Sequence, residues 1–283
     1  MRPVDRTKKE DKIAEGKGMV WFDENTEILF ASHGKGASID KVDMKRVKDL
    51  LLRKFDDSLG LIVIGSYAEG SVSEGSDLDI VWIKSRKIPY DKISALQNEL
   101  GDKIQLIVFS RRQLNYHFKN STTMAHSIKK GIILFDKAKL LAKLIKRDLD
   151  LPSREWMNRW FNHWLMFYRF GIMDRRRNRR FHRKYCRRRC YCEVGDYFAR
   201  ATVNFSILYL ETKGIVPTTK REIWENCKKL LPRRLLKGLK VSFKVYHQRR
   251  NLRSAEAEEV YQTASWLRRR LKSEGIKEEV GEA

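Results

Sequence analysis

A glycine–serine turn followed by two aspartates constrains this chain more than any other feature. Leu61–Ile64 is a continuous apolar run, as expected of a buried strand, and Gly65-Ser66 follows it directly. Asp77 and Asp79 stand two residues apart at the start of a second apolar run. Because side chains alternate along a strand, both carboxylates are expected to face the same side. The segment predicts two strands, joined by a turn, with an acidic edge.

The residue types at these positions suit a triphosphate and a divalent cation. A Gly-Ser turn between a strand and a helix N-terminus offers N–H groups and a hydroxyl to phosphate, and a second glycine lets the backbone pass close to the ligand. Two parallel carboxylates are oxygen ligands that suit Mg²⁺. The alternative is a Gly/Ser-rich hairpin with solvated acids, but six positions agree in order. The candidate nucleotide-binding residues are Gly65, Ser66, Gly70 and Ser76, and the candidate catalytic metal ligands are Asp77 and Asp79.

The pattern Gly-Ser-x3-Gly-x5-Ser-Asp-x-Asp resembles the nucleotidyltransferase superfamily of DNA polymerase β, especially its minimal prokaryotic members. The resemblance covers about residues 38–136. It implies a mixed sheet with flanking helices, and transfer of a nucleoside monophosphate from an NTP. It also implies a two-metal Mg²⁺ site on Asp77 and Asp79, with Gly65 and Ser66 as the phosphate-contacting turn.

One departure from the family concerns a third carboxylate, which the family supplies near the start of a later strand. Ile104–Phe109 is that strand here, and the position holds Gln105. A neutral amide can bind a metal weakly but cannot act as a base. Asp102 lies three residues earlier, in an expected turn. The metal site is therefore expected to be incomplete, and activity stays open.

Charge indicates a polyanionic partner for the second half of the chain. The formal net charge is +24, and residues 151–283 hold 32 of the 60 Lys and Arg but 14 of the 36 Asp and Glu. A field of this strength is tolerated mainly where a polyanion neutralises it. No apolar run is long enough to span a membrane and no signal-peptide core is present, so a cytoplasmic protein without a membrane partner is expected. Abundant Lys, Arg and Glu with little Gln favour a thermophilic source.

The expected fold class is α+β: a mixed-sheet nucleotidyltransferase fold followed by an all-α bundle. The expected divisions are a tail and hairpin at 1–37, the nucleotidyltransferase domain at 38–150, and a basic helical domain at 151–283. In the first two, a short hairpin is predicted from 20–22 and 27–30, and strands are predicted at 61–64, 79–83 and 104–109. Helices are predicted from Ser38 through Phe55 and at 91–100, 111–130 and 136–148. In the third, helices are predicted at 156–170, 196–210, 220–231, 233–249 and 254–272, with Gly171 and Gly214 as helix ends.

The helical half contains an aromatic stripe, a weak resemblance and a dense arginine run. The stripe from Trp156 to Phe170 has helical spacing and is expected to be core. The order of helices resembles the HEPN domains that often accompany minimal nucleotidyltransferases. The arginine run is interleaved with aromatic residues that can stack on unpaired bases, which favours RNA over a merely solvated helix face. The candidate RNA-binding residues are Arg175, Arg176, Arg177, Arg179, Arg180, Arg183, Lys184, Arg187, Arg188 and Arg189.

The same run contains a less favoured metal site. His182, Cys186 and Cys190 are four residues apart, so a helix would bring them to one face near Cys192, as a zinc site requires. Zinc sites more often use Cys-x2-Cys pairs from turns, which makes free thiols the better interpretation.

Three functions follow from these observations. The first is a template-independent nucleotidyltransferase that uses an NTP and Mg²⁺ on an RNA such as a tRNA end. The second is a degenerate nucleotidyltransferase fold that serves as an adaptor on tRNA, rRNA or the ribosome. The third is a single-chain relative of toxin–antitoxin pairs that modifies a protein. A small-molecule acceptor such as an aminoglycoside fits the charge poorly.

Overall fold

The computed structural model describes residues 27–28, 44–72, 76–86, 88–101, 103–185, 193–248 and 250–279, with backbone alone at some of them. These residues divide into two compact units. The first contains the described residues up to Lys119 together with Ser127–Asp148, and the second contains Asn120–His126 together with Leu149 and the residues after it. The finer domain limits at 38 and 151 stay predictions.

The first unit is built on a five-stranded sheet in the order β1-β4-β3-β2-β5. β3 and β4 are parallel and the other neighbours are antiparallel, so the predicted mixed sheet is confirmed. The strands are β1 Glu27–Ile28, β2 Ser58–Ile64, β3 Leu78–Lys84, β4 Ile104–Ser110 and β5 Ile132–Asp136. β1 pairs with β4, while the other half of the predicted hairpin, residues 20–22, lies outside the described residues.

Helices cover both faces of this sheet, as the continuous apolar runs of its central strands require. α1 (Met44–Lys54) and α2 (Tyr90–Leu100) cover one face, where Leu51 and Ile93 pack with Val63, Ile80 and Trp82. α3 (Arg111–Lys119) packs on β3 and β4. α5 (Leu140–Leu144) packs on β2 and β5, and α4 is Thr123–Lys129.

Two predicted helices were wrong in part. The expected helix at 111–130 is divided between α3 and α4 because the chain turns at Ser121, whose φ is 47°. The expected helix at 136–148 is a 3-10 turn at Lys137–Lys139 followed by the short α5. Asp136 ends β5, and its carboxylate accepts hydrogen bonds from the backbone N–H groups of Leu141 and Ala142, each at 2.8 Å. β5 itself was not predicted.

The second unit is helical, which confirms the predicted α+β class. Its helices are α6 Arg154–Tyr185, α7 Tyr197–Thr212, α8 Lys220–Leu230, α9 Arg233–Gln248 and α10 Ser254–Ser273. α7 is largely buried and packs against α6, α8, α9 and α10, while β6 (Glu193–Val194) pairs with β7 (Leu252–Arg253). None of the helices among the described residues is long and apolar enough to cross a membrane.

Glycine and aromatic residues fix the packing of α6. Gly171 was expected to end a helix, which was wrong, because α6 continues to Tyr185. A Cβ at Gly171 would lie 2.7 Å from the Phe198 ring, so the glycine permits close approach of α7. Gly214 does end α7, with φ at 80°. The aromatic stripe is core for the most part, since Phe161, Trp164 and Phe167 are buried.

Candidate nucleotide-binding site

The predicted site residues lie at one edge of the sheet, where β2 ends and β3 and β4 begin. Ile64, the last residue of β2, pairs with Asp79 of β3. Asp79 pairs in turn with Gln105 of the parallel strand β4. Directly paired residues project from the same face of a sheet. Asp79 and Gln105 are therefore neighbours, and the turn that begins at Gly65 starts beside them.

Gly65 is required by its closeness to Asp79. Its φ is 71°, in the left-handed region that side-chain-bearing residues rarely adopt. A Cβ at this position would lie 3.0 Å from Oδ2 of Asp79. The Asp79 carboxylate is therefore directed at the turn, and glycine supplies both the backbone conformation and the space.

Gly65 to Gly70 form a hydrogen-bonded turn, and the helix N-terminus expected after the Gly-Ser pair is not present at these residues. The N–H of Glu69 donates to the carbonyl of Gly65 at 3.1 Å, and the N–H of Ser71 donates to the carbonyl of Ser66 at 2.9 Å. Gly70 closes the turn with φ at 66°, and a Cβ there would meet no atom within 4 Å. Successive backbone N–H groups in a turn can form a concave anion-binding site, so the turn remains a candidate for phosphate contact.

The start of β3 is fixed against the start of β4. The N–H of Leu78 donates to the carbonyl of Lys103 at 2.7 Å. Leu78 and Ile80 are buried, whereas Asp79 between them is partly exposed. Asp77 directly precedes β3 and is also partly exposed, as is Ser76. Alternation from Asp77 into β3 is expected to direct the two carboxylates to one side.

Gln105 occupies the position beside Asp79 where the family resemblance implied a third carboxylate. It is partly exposed between the buried Ile104 and Leu106. The residues that the structure describes contain no group of three or more His, Cys, Asp and Glu side chains suited to a metal. Asp102 lies outside the described residues, as does the side-chain set His182, Cys186, Cys190 and Cys192 considered for zinc.

Lys130 also approaches the turn, although no motif in the sequence points to it. Its Nζ lies 3.7 Å from Oε1 of Glu69. Lys130 follows α4 and precedes β5, the strand that pairs with β2. The position could be found only by recognising Ile132–Phe135 as a strand, since that pairing returns the chain to the turn.

The arginine run begins with a residue that has partners inside the helical unit. Arg175 forms an ion pair with Glu258 of α10, and its guanidinium carbon lies 4.1 Å from the centre of the Tyr261 ring. Its side chain is 16% exposed, whereas Arg176 and Arg177 are exposed. The backbone remains helical through Tyr185. The side chains of Arg179, Arg180, Arg183, Lys184, Arg187, Arg188 and Arg189 lie outside those described.

Comparison with known proteins agrees with this geometry. Residues 46–140 match the family described as "Polymerase beta, Nucleotidyltransferase". These residues contain the turn, both aspartates and Gln105, so the similarity to nucleotidyltransferases of the polymerase β type falls on the candidate site. No curated protein matches the chain.

Three solved structures resemble the chain at low identity. A spectinomycin adenyltransferase, AAD(9), from Enterococcus faecialis, solved with ATP and spectinomycin, is 15% identical with a TM-score of 0.50, over 82% of this chain and 100% of that one. A nucleotidyltransferase-like protein from Exiguobacterium sibiricum 255-15 is 14% identical with a TM-score of 0.38, over 82% and 77%. A toxin–antitoxin structure with AMP-PNP is 16% identical with a TM-score of 0.28, over 36% and 81%. The first of these establishes a nucleotidyltransferase-like fold.

Proposed function

We propose that the first unit binds a nucleoside triphosphate with Mg²⁺ and transfers its nucleoside monophosphate to a hydroxyl of an RNA held by the basic helical unit, with pyrophosphate as the leaving group. The observation that carries this proposal is the register Ile64–Asp79–Gln105. It places the start of the Gly65 turn beside Asp79 at one sheet edge, with Asp77 two residues before Asp79 in the sequence. In a hairpin with solvated acids, no carboxylate would be held close to this glycine. Here a Cβ added at Gly65 would lie 3.0 Å from Oδ2 of Asp79.

The residues of the proposed site provide some, but not all, of the charged oxygen ligands that a hard divalent cation would take. Asp77 and Asp79 would hold it through charged oxygens, and Gln105 offers one neutral oxygen beside them. When bound, Mg²⁺ supplies positive charge that offsets the triphosphate. The chain's own contribution is to orient the phosphates on the N–H groups of the Gly65–Gly70 turn and to direct Asp79 toward them. Lys130, near the same turn, adds a positive charge.

Gln105 makes binding and transfer separable. An amide oxygen accepts a hydrogen bond but does not take a proton, so this position cannot help to deprotonate the attacking hydroxyl. We therefore expect firm NTP binding and slow transfer. The same observation favours a second candidate function, a nucleotide-binding adaptor on tRNA, rRNA or the ribosome that performs no transfer.

The RNA acceptor is supported by charge. Residues 151–283 carry a net charge of +18, from 32 bases and 14 acids, against +6 for residues 1–150. This charge favours a polyanionic acceptor. A protein, which a toxin–antitoxin relative would modify, is not a polyanion, and neither is a small cationic acceptor such as spectinomycin. Each of these acceptors is therefore an alternative outcome of the test.

The test measures binding and transfer separately. Mg²⁺–ATP binding is measured by calorimetry, and transfer is measured with each labelled NTP on RNA that copurifies with the protein. We expect Asp77→Asn and Asp79→Asn to abolish both without loss of stability, because removing one of two neighbouring like charges relieves repulsion. Label on a copurifying protein or on spectinomycin, with none on RNA, would replace the proposed acceptor.

Gln105→Asp distinguishes the enzyme from the adaptor, with Gln105→Asn as the matched neutral control. A tenfold gain in transfer for the aspartate variant would correspond to about 1.4 kcal/mol of transition-state stabilisation. Faster transfer by Gln105→Asp, with no increase for Gln105→Asn, supports an enzyme whose transfer rate is lowered by the amide. Bound ATP with no transfer in the wild type or either variant supports the adaptor. Undiminished transfer after both Asp77→Asn and Asp79→Asn would refute the site itself.

A further inference from the structure

α9 presents a basic face that was not recognised from the sequence. Arg233, Lys237, Lys240 and Lys244 follow one another at intervals of four, three and four residues, and all four are exposed. With 3.6 residues per turn, this spacing confines them to about 60° of the helix circumference. We call these four residues the α9 basic face.

The opposite side of α9 is firmly packed. Leu235, Leu239, Ser242 and Val245 are buried. A Cβ at Gly238 would lie 2.3 Å from Oγ1 of Thr263, so α9 approaches α10 closely there. The orientation of the α9 basic face toward solvent is therefore fixed by the core of the helical unit.

The acids described in the helical unit are paired mostly with bases outside this face. Glu256 pairs with Arg250, and Glu258 pairs with Arg175. Glu278 is held by three bases at once, on α6 and α10. α9 contains no Asp or Glu of its own.

Within the α9 basic face, only Lys237 has an ion-pair partner among the described residues. That partner is Glu259, and the Lys237 side chain remains 74% exposed. Arg233, Lys240 and Lys244 form no ion pair within the described part of the chain. Four cations in one row repel each other, so the row is best accounted for by an anionic partner.

The dimensions of the face favour a nucleic-acid backbone. At 1.5 Å per residue, Arg233 and Lys244 are about 16 Å apart along the helix. One strand of a duplex carries a phosphate about every 3.4 Å along its axis, so the row spans about five phosphates. A helix that lies on a membrane needs an exposed apolar face beside its cations. The apolar face of α9 is buried instead, which argues against a lipid surface.

We propose that the α9 basic face binds the phosphate backbone of RNA, in addition to any contact made by the arginine run of α6. This inference rests on the proposed RNA partner and names a surface for it. The contact is made by flexible side chains to phosphates, so it contributes affinity and register along the RNA rather than base specificity.

The test uses the full chain and two variants of equal charge. Arg233→Gln, Lys240→Gln and Lys244→Gln are combined in one variant, which leaves the Lys237–Glu259 pair intact. The control combines Lys229→Gln, Arg269→Gln and Lys277→Gln, three exposed bases of the same unit that also lack ion pairs among the described residues. Binding of labelled poly(U) and of a labelled RNA hairpin is measured at several salt concentrations.

We expect the α9 variant to lose roughly 10- to 100-fold in affinity, with the slope of log affinity against log salt reduced by about 2 to 3 units. The control is expected to change much less. Arg233→Lys combined with Lys240→Arg and Lys244→Arg should retain wild-type binding, since the charges are kept. Circular dichroism melting curves verify that every variant folds.

The outcomes separate this inference from the proposed function. Equal losses in the α9 variant and the control would mean that net charge alone matters, which overturns the inference. RNA binding that survives in the α9 variant but is lost on replacing Arg176 and Arg177 overturns the inference while the RNA partner stands. A wild type that binds neither RNA defeats the proposed RNA partner. Binding to phosphatidylglycerol vesicles instead would identify a membrane surface.

Discussion

Glu211, near the end of α7, is a buried carboxyl group that forms no ion pair among the described residues. It is 2% exposed. Its Oε1 accepts a hydrogen bond from the hydroxyl of Thr123, and its Oε2 has no hydrogen-bond partner among the described residues. Burial raises the pKa of Glu211 from its ordinary value of 4.5 to about 7, although the bond from Thr123 acts in the opposite direction.

The size and sign of the effect on stability follow from this pKa. The folded unit holds the proton more tightly than the unfolded chain, so the stabilising contribution of the neutral carboxyl is complete below pH 4.5. It is lost as the pH rises through 7. A shift of this size is equivalent to about 3 kcal/mol, most of it lost between pH 5 and pH 8.

The perturbation is Glu211→Gln, which keeps the shape and removes the ionisation. We expect the variant to gain about 2 to 3 kcal/mol relative to the wild type between pH 5 and pH 8. Unfolding by urea is monitored by tryptophan fluorescence, because five of the seven tryptophans lie in the helical unit. Glu225→Gln, at an exposed residue paired with Lys228, is the control and should show no such gain.

The free energy of unfolding of the variant is compared with that of the wild type at each pH. This difference is needed because the stabilising contribution of His163 changes with pH in the direction opposite to that of Glu211. Burial lowers the pKa of His163 to about 4, so its contribution is complete above pH 6.5 and is lost as the pH falls. Both proteins contain His163, and its contribution cancels in the difference. A difference between the wild type and Glu211→Gln that stays constant from pH 5 to pH 8 would refute the reasoning.

Two further predictions concern the first unit. Asp57→Asn should destabilise it by about 3 to 5 kcal/mol in urea unfolding, because Lys84 is 3% exposed and its Nζ lies 2.6 Å from Asp57. Asp57→Asn combined with Lys84→Met should recover most of that loss, and no recovery would mean that the pair is not the cause. Gly65→Ala should cost about 1 to 2 kcal/mol through its positive φ and should also abolish Mg²⁺–ATP binding, because the new Cβ would crowd Asp79. Gly101→Ala, with φ at 90° and open space around its Cβ, should cost a similar amount and leave binding intact.

Periodicity predicted the helical unit better than the sheet unit. All five predicted helices there are present, because each is long and amphipathic or buried and is bounded by a turn signal. β5 was missed because Ile132–Phe135 is a short apolar run, and a run of this length does not distinguish a strand from a helix. Its identity depends on pairing with β2, a contact between distant parts of the sequence.

The candidate site was predictable where the chemistry is local. The turn from Gly65 to Gly70 and the spacing of Asp77 and Asp79 can be read within a short segment. The approach of Lys130 could not be predicted, since it depends on the unrecognised strand β5. The α9 basic face was overlooked because its cations are spaced along the chain, whereas the arginine run is contiguous and conspicuous. These spaced cations lie on one face only because the segment is helical.

Gln105 connects the fold to the choice between the proposed functions. Its parallel pairing with Asp79 is a backbone property that any side chain would share, so the sheet would place an aspartate there as readily as a glutamine. The amide is therefore not imposed by the fold. In the proposed site, the Gly65 turn and the two aspartates provide for a triphosphate and its cation, while the position paired with Asp79 holds a neutral side chain. Because Asp77 and Asp79 could hold a cation with or without a proton acceptor at position 105, the proposed nucleotide binding does not depend on Gln105, whereas fast transfer does.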